Sequence, residues 1–229
     1  MLEANVMRLS ESRESFHRYA YLYYERETDF PRSSYHFHRR VIDAIRQQPY
    51  ENLLKSVHFL DCVYAVLATW GMDRMDRSAS LVDFDAFAQS VTNNATALLE
   101  LSKLKLHLLA PNAQEVVKTD LARLYENLQV MNTRARLVGL SKAMHHLLPD
   151  LVPPIDRKHT LTFFYGRKYY PEKEGGQMFL DIFDVFYRIC RRLDLSQSDL
   201  RGRWDTSVPK MIDNAIIGFV SAEEPLRSD

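Results

Sequence analysis

A chain of 229 residues with 46% aliphatic and aromatic and 26% charged side chains can bury a sizeable core, which excludes a disordered segment. Thirty basic and thirty acidic side chains cancel, so no global field holds a polyanion and any nucleic-acid contact needs a local basic patch. Two cysteines, Cys62 and Cys190, each inside an apolar run, exclude a disulfide scaffold, and no apolar run is long enough for a membrane span. The polar stretch Met1 to Ser12 lacks the apolar centre of a secretory signal, so a cytoplasmic location is expected.

The chain holds only 7 glycines, and its apolar residues recur at intervals of three and four, the period of amphipathic helices. An all-α fold is expected throughout. The first helix, about Val6 to Arg26, carries Tyr19, Tyr21, Tyr23 and Tyr24, which cannot share one face. A homodimer contact through this helix and a core-and-rim arrangement within one chain both account for them. After Pro31 a helix is expected over Ser34 to Gln47, where His36 and His38 point to opposite sides. After Pro49 the stripe Leu53, Leu54, Val57, Leu60, Tyr64, Leu67 runs to Trp70 and Gly71, where glycine suits a C-cap. Helices over Phe84 to Leu109 and Ala113 to Val130 are separated by Pro111.

The segment from Leu137 to Phe164, LVGLSKAMHHLLPDLVPPIDRKHTLTFF, concentrates polar groups around three prolines. On a helix, Leu137, Leu140, Met144, Leu147 and Leu148 share the buried face, while Lys142 and His146, four apart, stack on another and project away from the core. Pro149 stops that helix, and Pro153 with Pro154 forces an extended approach that delivers Asp156 to the start of the next, about Arg157 to Tyr165. Asp156 is placed there as a helix N-cap or, alternatively, as a carboxylate facing Lys142 across a cleft. Gly175 and Gly176 then turn the chain into a helix with the stripe Phe179, Ile182, Phe183, Phe186, Ile189, Cys190, Leu193, from which Asp181, Asp184, Arg188 and Arg192 face out. A last helix is expected over Pro209 to Val220. The sum is an irregular or orthogonal bundle of about eight or nine helices in one domain over 1–221, with a flexible tail over 222–229.

The run Leu137-Val138-Gly139-Leu140-Ser141-Lys142-Ala143, followed by an apolar helix, proline and Asp156, resembles the hairpin and following helix of the helix-hairpin-helix base-excision DNA glycosylases. The resemblance implies a glycine hairpin whose backbone N–H groups meet DNA phosphate, Lys142 as a Schiff-base nucleophile and Asp156 as its assistant. Gly139, Ser141, His145, His146, Arg157 and His159 would then line the binding surface. Gly139 stands without a second hairpin glycine, and a continuous helix from Ala135 to Leu148 accounts for the same residues. The phrase SKAMHHLLPDLVPPIDRKHT, with TWGMDR and PKMIDNAIIGF, is also similar to a family of uncharacterised, mostly prokaryotic helical proteins. That similarity carries no activity, but suggests that Trp70 to Arg74, Ser141 to Thr160 and Lys210 to Asn214 meet in one place.

Other chemistries find little support. Neither histidine pair has the i, i+4 spacing of a helical zinc site, and HExxH and cysteine clusters are absent, so no metal is expected. No nucleophile elbow surrounds Ser141 and no glycine-rich cradle exists for a cofactor phosphate. Arg188, Arg191, Arg192, Arg201 and Arg203, with Arg167 and Lys168, form the densest basic run, with Trp204, Tyr169 and Tyr170 among them. This is a candidate nucleic-acid surface or a solvated face. Three functions are carried forward: a glycosylase-like protein using Lys142 and Asp156, a non-enzymatic interaction module in which Asp156 caps a helix, and a small-molecule enzyme using Lys142, His146 and Asp156.

Overall fold

The computed structural model describes residues 1–25, 32–72, 80–133, 136–166 and 175–223. Twelve α-helices and no strand occur among them: α1 (Leu2–Leu9), α2 (Arg13–Glu25), α3 (Arg32–Gln47), α4 (Tyr50–Leu53), α5 (Val57–Leu67), α6 (Phe84–Asn93), α7 (Ala95–Ser102), α8 (Gln114–Asn127), α9 (Leu137–Leu147), α10 (His159–Tyr165), α11 (Gly176–Arg192) and α12 (Val208–Glu223). The all-α class is as the periodicity predicts, with more helices than the eight or nine expected. No helix among the described residues is long and apolar enough to cross a membrane. The expectations for Pro31, Arg74, Arg167, Lys168, Tyr169, Tyr170 and most of the tail lie outside the described residues, although α12 itself runs on to Glu223.

Serine and asparagine account for the extra helices, because their side chains bond to backbone and end a helix without interrupting its apolar stripe. The helix expected over Val6 to Arg26 is α1 and α2, divided where Ser10 Oγ donates back to the Val6 carbonyl (2.6 Å) and Ser12 Oγ accepts from Ser15 N (3.0 Å). The helix expected over Phe84 to Leu109 breaks at Asn94, whose side chain donates to the Ser90 carbonyl at 2.8 Å. A further tight turn at Leu106–Leu108 lies beyond it.

One apolar cluster links the helices. The α11 stripe faces it as predicted, while Asp184, expected to face out, is half-buried and accepts from Lys118 Nζ at 2.8 Å and Gln114 Nε2 at 2.7 Å. Both cysteines are buried free thiols. On α2, Tyr19 and Tyr23 are buried, Tyr24 is half-buried and Tyr21 is exposed. The closest helix pairing joins α2 to α12, and Gly218 permits it: a Cβ there would collide with the Tyr19 carbonyl oxygen. This pairing sets the start of α12 against Tyr23 and opposite α9, and so fixes one side of the site.

Candidate functional site

Helix α9 is buried at every one of its residues, which corrects the expectation that Lys142 and His146 project away from the core. With α5, α3 and α11 all packed on it, no face is left for solvent, and its polar side chains must find partners inside the protein. Ser141 does so structurally: its hydroxyl donates to the Val138 carbonyl (3.0 Å) and accepts from Ile155 N (3.2 Å). That bond ties the extended Pro153–Pro154 approach against α9 and brings Asp156 near Lys142. Beyond α5 the chain makes one wide turn over Ala68–Met72, where Gly71 takes φ 83°, a backbone region that disfavours other residues. The turn carries Trp70 over Lys142.

These segments enclose a cavity of about 400 Å³. Trp70, Trp204 and Tyr23 form aromatic walls, and Lys142, Asp156, His159, Lys210 and Asp213 supply the polar groups. The Lys142 ammonium is 5.4 Å from the centre of the Trp70 ring and makes no hydrogen bond or ion pair among the described residues, although the residue is only 9% exposed. Burial pushes its pKa below the ordinary lysine value, against the opposing pull of Asp156 and Asp213. Asp156 divides its work. One oxygen, Oδ1, accepts from His159 N (2.7 Å) and His159 Nδ1 (2.9 Å), while Asp156 N donates to Thr160 Oγ1 (3.0 Å). Burial opposes ionisation of Asp156, but the bonds from His159 and the Lys142 charge outweigh it and hold the carboxyl at about 2.

Lys210 is the opposite case. Its ammonium donates to Asp213 Oδ2 (2.7 Å) and Asn214 Oδ1 (2.6 Å) and lies 5.1 Å from the Tyr23 ring centre. Burial favours the neutral amine, yet Asp213 and Tyr23 keep its pKa above the ordinary value. Asn214 passes the network on to Asp205 Oδ1 at 2.8 Å, and Asp205 Oδ2 accepts from Tyr24 Oη and from Gly202 N. Asp213 Oδ1 and Trp70 Nε1, both buried, have no hydrogen-bond partner among the described residues.

Behind Lys142 three histidines form a row, of which His38 and His146 pack against the indoles and His145 against those two. His146 Nδ1 lies 2.8 Å from the Lys142 carbonyl, which can only accept, so this nitrogen carries the proton and donates. His146 Nε2 therefore accepts from His38 Nδ1 (3.0 Å), and His38 Nε2 accepts from the Thr206 hydroxyl (2.8 Å). His145 Nδ1 donates to the Val152 carbonyl at 2.8 Å. Burial keeps the row neutral: His38 and His145 are held well below the ordinary histidine value and His146 at about 4. Among the described residues no group of three or more His, Cys, Asp or Glu is arranged to hold a metal ion.

Of the residues singled out from sequence, Lys142, Asp156 and His159 line the cavity, and Gly139, Ser141, His145, His146 and Arg157 do not. Gly139 is the third residue of a continuous helix rather than the hinge of a hairpin. Met131 covers it so closely that a Cβ would collide with the sulfur, and the 460 Å³ concavity beside this helix start is lined by Met131 and Arg136, not by Gly139. None of the five arginines expected to form a basic surface lines the cavity. Arg188 pairs with Glu3 (2.8 Å), Arg192 donates to the Ser10 carbonyl (3.0 Å), and Arg203 stacks on Tyr35 (4.8 Å). The expected meeting of three segments is observed for Trp70 and Gly71, Lys142 to His159, and Lys210 to Asp213. Sequence reasoning missed Tyr23, His38 and Trp204, which arrive from other elements.

No protein-family model matches this chain, and no curated protein or solved structure matches it.

Proposed function

We propose that this cavity is a nucleophilic-amine site of the glycosylase type, in which Lys142 forms a Schiff base with the aldehyde carbon of a damaged nucleotide turned into it. The observation that carries the reading is the amine of the buried residue Lys142, which lines a 400 Å³ cavity and has no hydrogen bond or ion pair among the described residues. A buried cation left unbonded costs stability that a purely structural lysine would avoid by pairing. Its depressed pKa enlarges the fraction that is free amine, the form that attacks a carbonyl carbon. Indole and phenol walls suit a planar base or sugar withdrawn from a stack. Asp156 keeps an anion beside the positive charge that develops as the imine forms, since its Oδ2 is left over from capping.

The test is borohydride trapping with duplex DNA carrying an abasic site. The wild-type chain is expected to become covalently linked and the Lys142→Ala variant to remain unlinked. Failure of the wild type both to trap and to bind duplex at low salt removes the nucleic-acid reading. A second reading, a small-molecule enzyme using the same amine, is favoured by the absence of the five arginines from the cavity lining. It predicts Lys142-dependent trapping of a small aldehyde and none of DNA. His146 has no acid–base part in either reading, because both its ring nitrogens are committed. The interaction-module reading accounts for Asp156 Oδ1 as a cap but leaves the Lys142 amine unexplained.

A further inference from the structure

A lysine at neutral pH must shed a proton before it can attack, and the cavity offers few groups to receive it. Asp156 is a poor choice: its Oδ1 is taken by two bonds from His159, and a carboxyl held at about 2 is a weak base. His146 has spent its acceptor nitrogen on His38, and His159 donates from Nδ1 to Asp156 Oδ1, which leaves Nε2 as its acceptor, on a residue that is not buried. Lys210 is itself a cation held by Asp213 and Asn214. Among the described residues that line the cavity, one fully buried carboxylate oxygen has no donor. Asp213 is 4% exposed, lines the same cavity as Lys142, and keeps Oδ1 without a donor.

We propose that Asp213 is the base of this site, with Oδ1 taking the proton from the Lys142 ammonium while Oδ2 stays anchored by Lys210. The inference rests on the reading of Lys142 as a nucleophile. The groups around Asp213 fit the role. Lys210, one turn before it on α12, fixes the carboxylate plane at 2.7 Å, and Tyr23 from α2 lies against that ammonium. Lys142 comes from α9, and Asp156 and His159 from the segment entering α10. Burial raises the Asp213 pKa above the ordinary carboxylate value, Asp156 adds to this, and Lys210 opposes it, which makes the carboxylate a stronger proton acceptor than Asp156.

The step balances. The Nζ–H bond breaks with its electron pair left on nitrogen, and the proton moves to Oδ1. That pair forms the C–N bond to the aldehyde carbon while the carbonyl pair moves to oxygen, which takes the proton back from Asp213. Asp213 then removes a second proton from nitrogen and returns it to the hydroxyl, which leaves as water. Ammonium and aldehyde have become iminium and water, and the carboxylate is restored.

The experiment follows the rate at which the full chain is trapped by propionaldehyde and cyanoborohydride, across pH, for wild type, Asp213→Asn, Asp213→Glu and Asp156→Asn. If Asp213 acts only as a charge, its loss lowers the Lys142 pKa further and trapping at neutral pH becomes faster. If it is the base, Asp213→Asn traps at least about ten-fold slower at pH 7, a modest part of what general-base catalysis commonly supplies. The gap then closes as pH approaches the ordinary lysine value of 10.5, and Asp213→Glu recovers rate. An unchanged or faster rate at pH 7, or a slowing that is uniform with pH, overturns the proposal. Should Asp213→Asn fail to fold, the pair Lys210→Met with Asp213→Asn removes both buried ions together, and the same pH comparison decides. A wild type that traps neither propionaldehyde nor abasic DNA sinks the nucleophile reading as well. A wild type that traps while Asp213→Asn matches it sinks this inference alone.

Discussion

Lys142 and Lys210 reach one cavity from two helices, α9 and α12, and both are almost wholly buried. Lys210 is bonded to Asp213 and Asn214 and holds its proton more firmly than an ordinary lysine. Lys142 has no hydrogen bond or ion pair among the described residues, only the face of Trp70, and holds its proton less firmly. Burial is common to both, so the difference comes from the bonds: a buried ammonium with carboxylate and amide oxygens around it is part of the framework, and one without them is poised to react. Stability and reactivity are thus divided between two lysines of one cavity.

The division breaks most sharply at Lys210. Replacement of Lys210 by Met strands the Asp213 carboxylate in the interior, which should cost about 3–5 kcal/mol in denaturant unfolding. Adding Asp213→Leu to that variant is expected to restore much of the loss, because removal of both buried partners leaves no unpaired ion. If Lys210→Met alone unfolds at the wild-type denaturant concentration, the framework role is wrong.

Acid should act next, through the histidine row. Burial holds His146 at about 4 against an ordinary 6.5, so between those values the unfolded chain binds more protons than the folded one. Stability is therefore complete above 6.5 and declines as pH falls toward 4, by about 3 kcal/mol from His146 alone, with His38 and His145 adding losses in the same direction. Unfolding measured at pH 7, 6 and 5 should show this slope, and the His146→Gln variant a shallower one. Asp156 contributes lower down, as pH falls from 3.8 toward 2. For Lys142 the sign inverts: replacement by Met should raise stability by about 1–3 kcal/mol, since a charge that burial disfavours is removed, while trapping activity is lost. That gain is expected to shrink as pH rises through the folded value toward 10.5 and to vanish above it, where the wild-type amine is neutral in both states. A Lys142→Met protein less stable than wild type would contradict the contrast between the two lysines.

The helical class and the segments that build the cavity were legible in the chain because each is a local pattern. Apolar spacing of three and four marks α5, α9 and α11, and polar residues interrupting it mark Trp70, Lys142 and Lys210. What stayed hidden depends on tertiary placement. Periodicity assigns Lys142 and His146 to an outward face of α9 because it registers polarity and not what packs on top, and here Trp70 and His38 of α3 lie over that face. His38 gave no sign in sequence, since its partner His146 is 108 positions away. The glycine of LVGLSKA reads as a phosphate hinge in the chain, but Met131, brought over it by the turn between α8 and α9, makes it a packing contact. Asp213 falls in the Lys210 to Asn214 stretch expected to meet the other two segments, but its pairing with Lys210 and its unpartnered oxygen appear only in the folded chain.

The smallest effect concerns the link between α9 and the acid group. Ser141 touches no part of the cavity, yet its hydroxyl accepts from Ile155 N at 3.2 Å, one residue before Asp156. Replacement by Ala removes one neutral hydrogen bond and leaves a buried N–H unpaired, worth about 1 kcal/mol. That loss alone would be unremarkable, and the position of Asp156 is the informative readout. With its tether gone, Asp156 should restrain Lys142 less, so the amine's pKa falls further and the pH midpoint of propionaldehyde trapping moves down. Ser141→Thr, which keeps the hydroxyl, should hold the wild-type midpoint. A Ser141→Ala protein with lowered stability and an unmoved midpoint would show that the Pro153–Pro154 approach is rigid enough to place the carboxylate without help from α9.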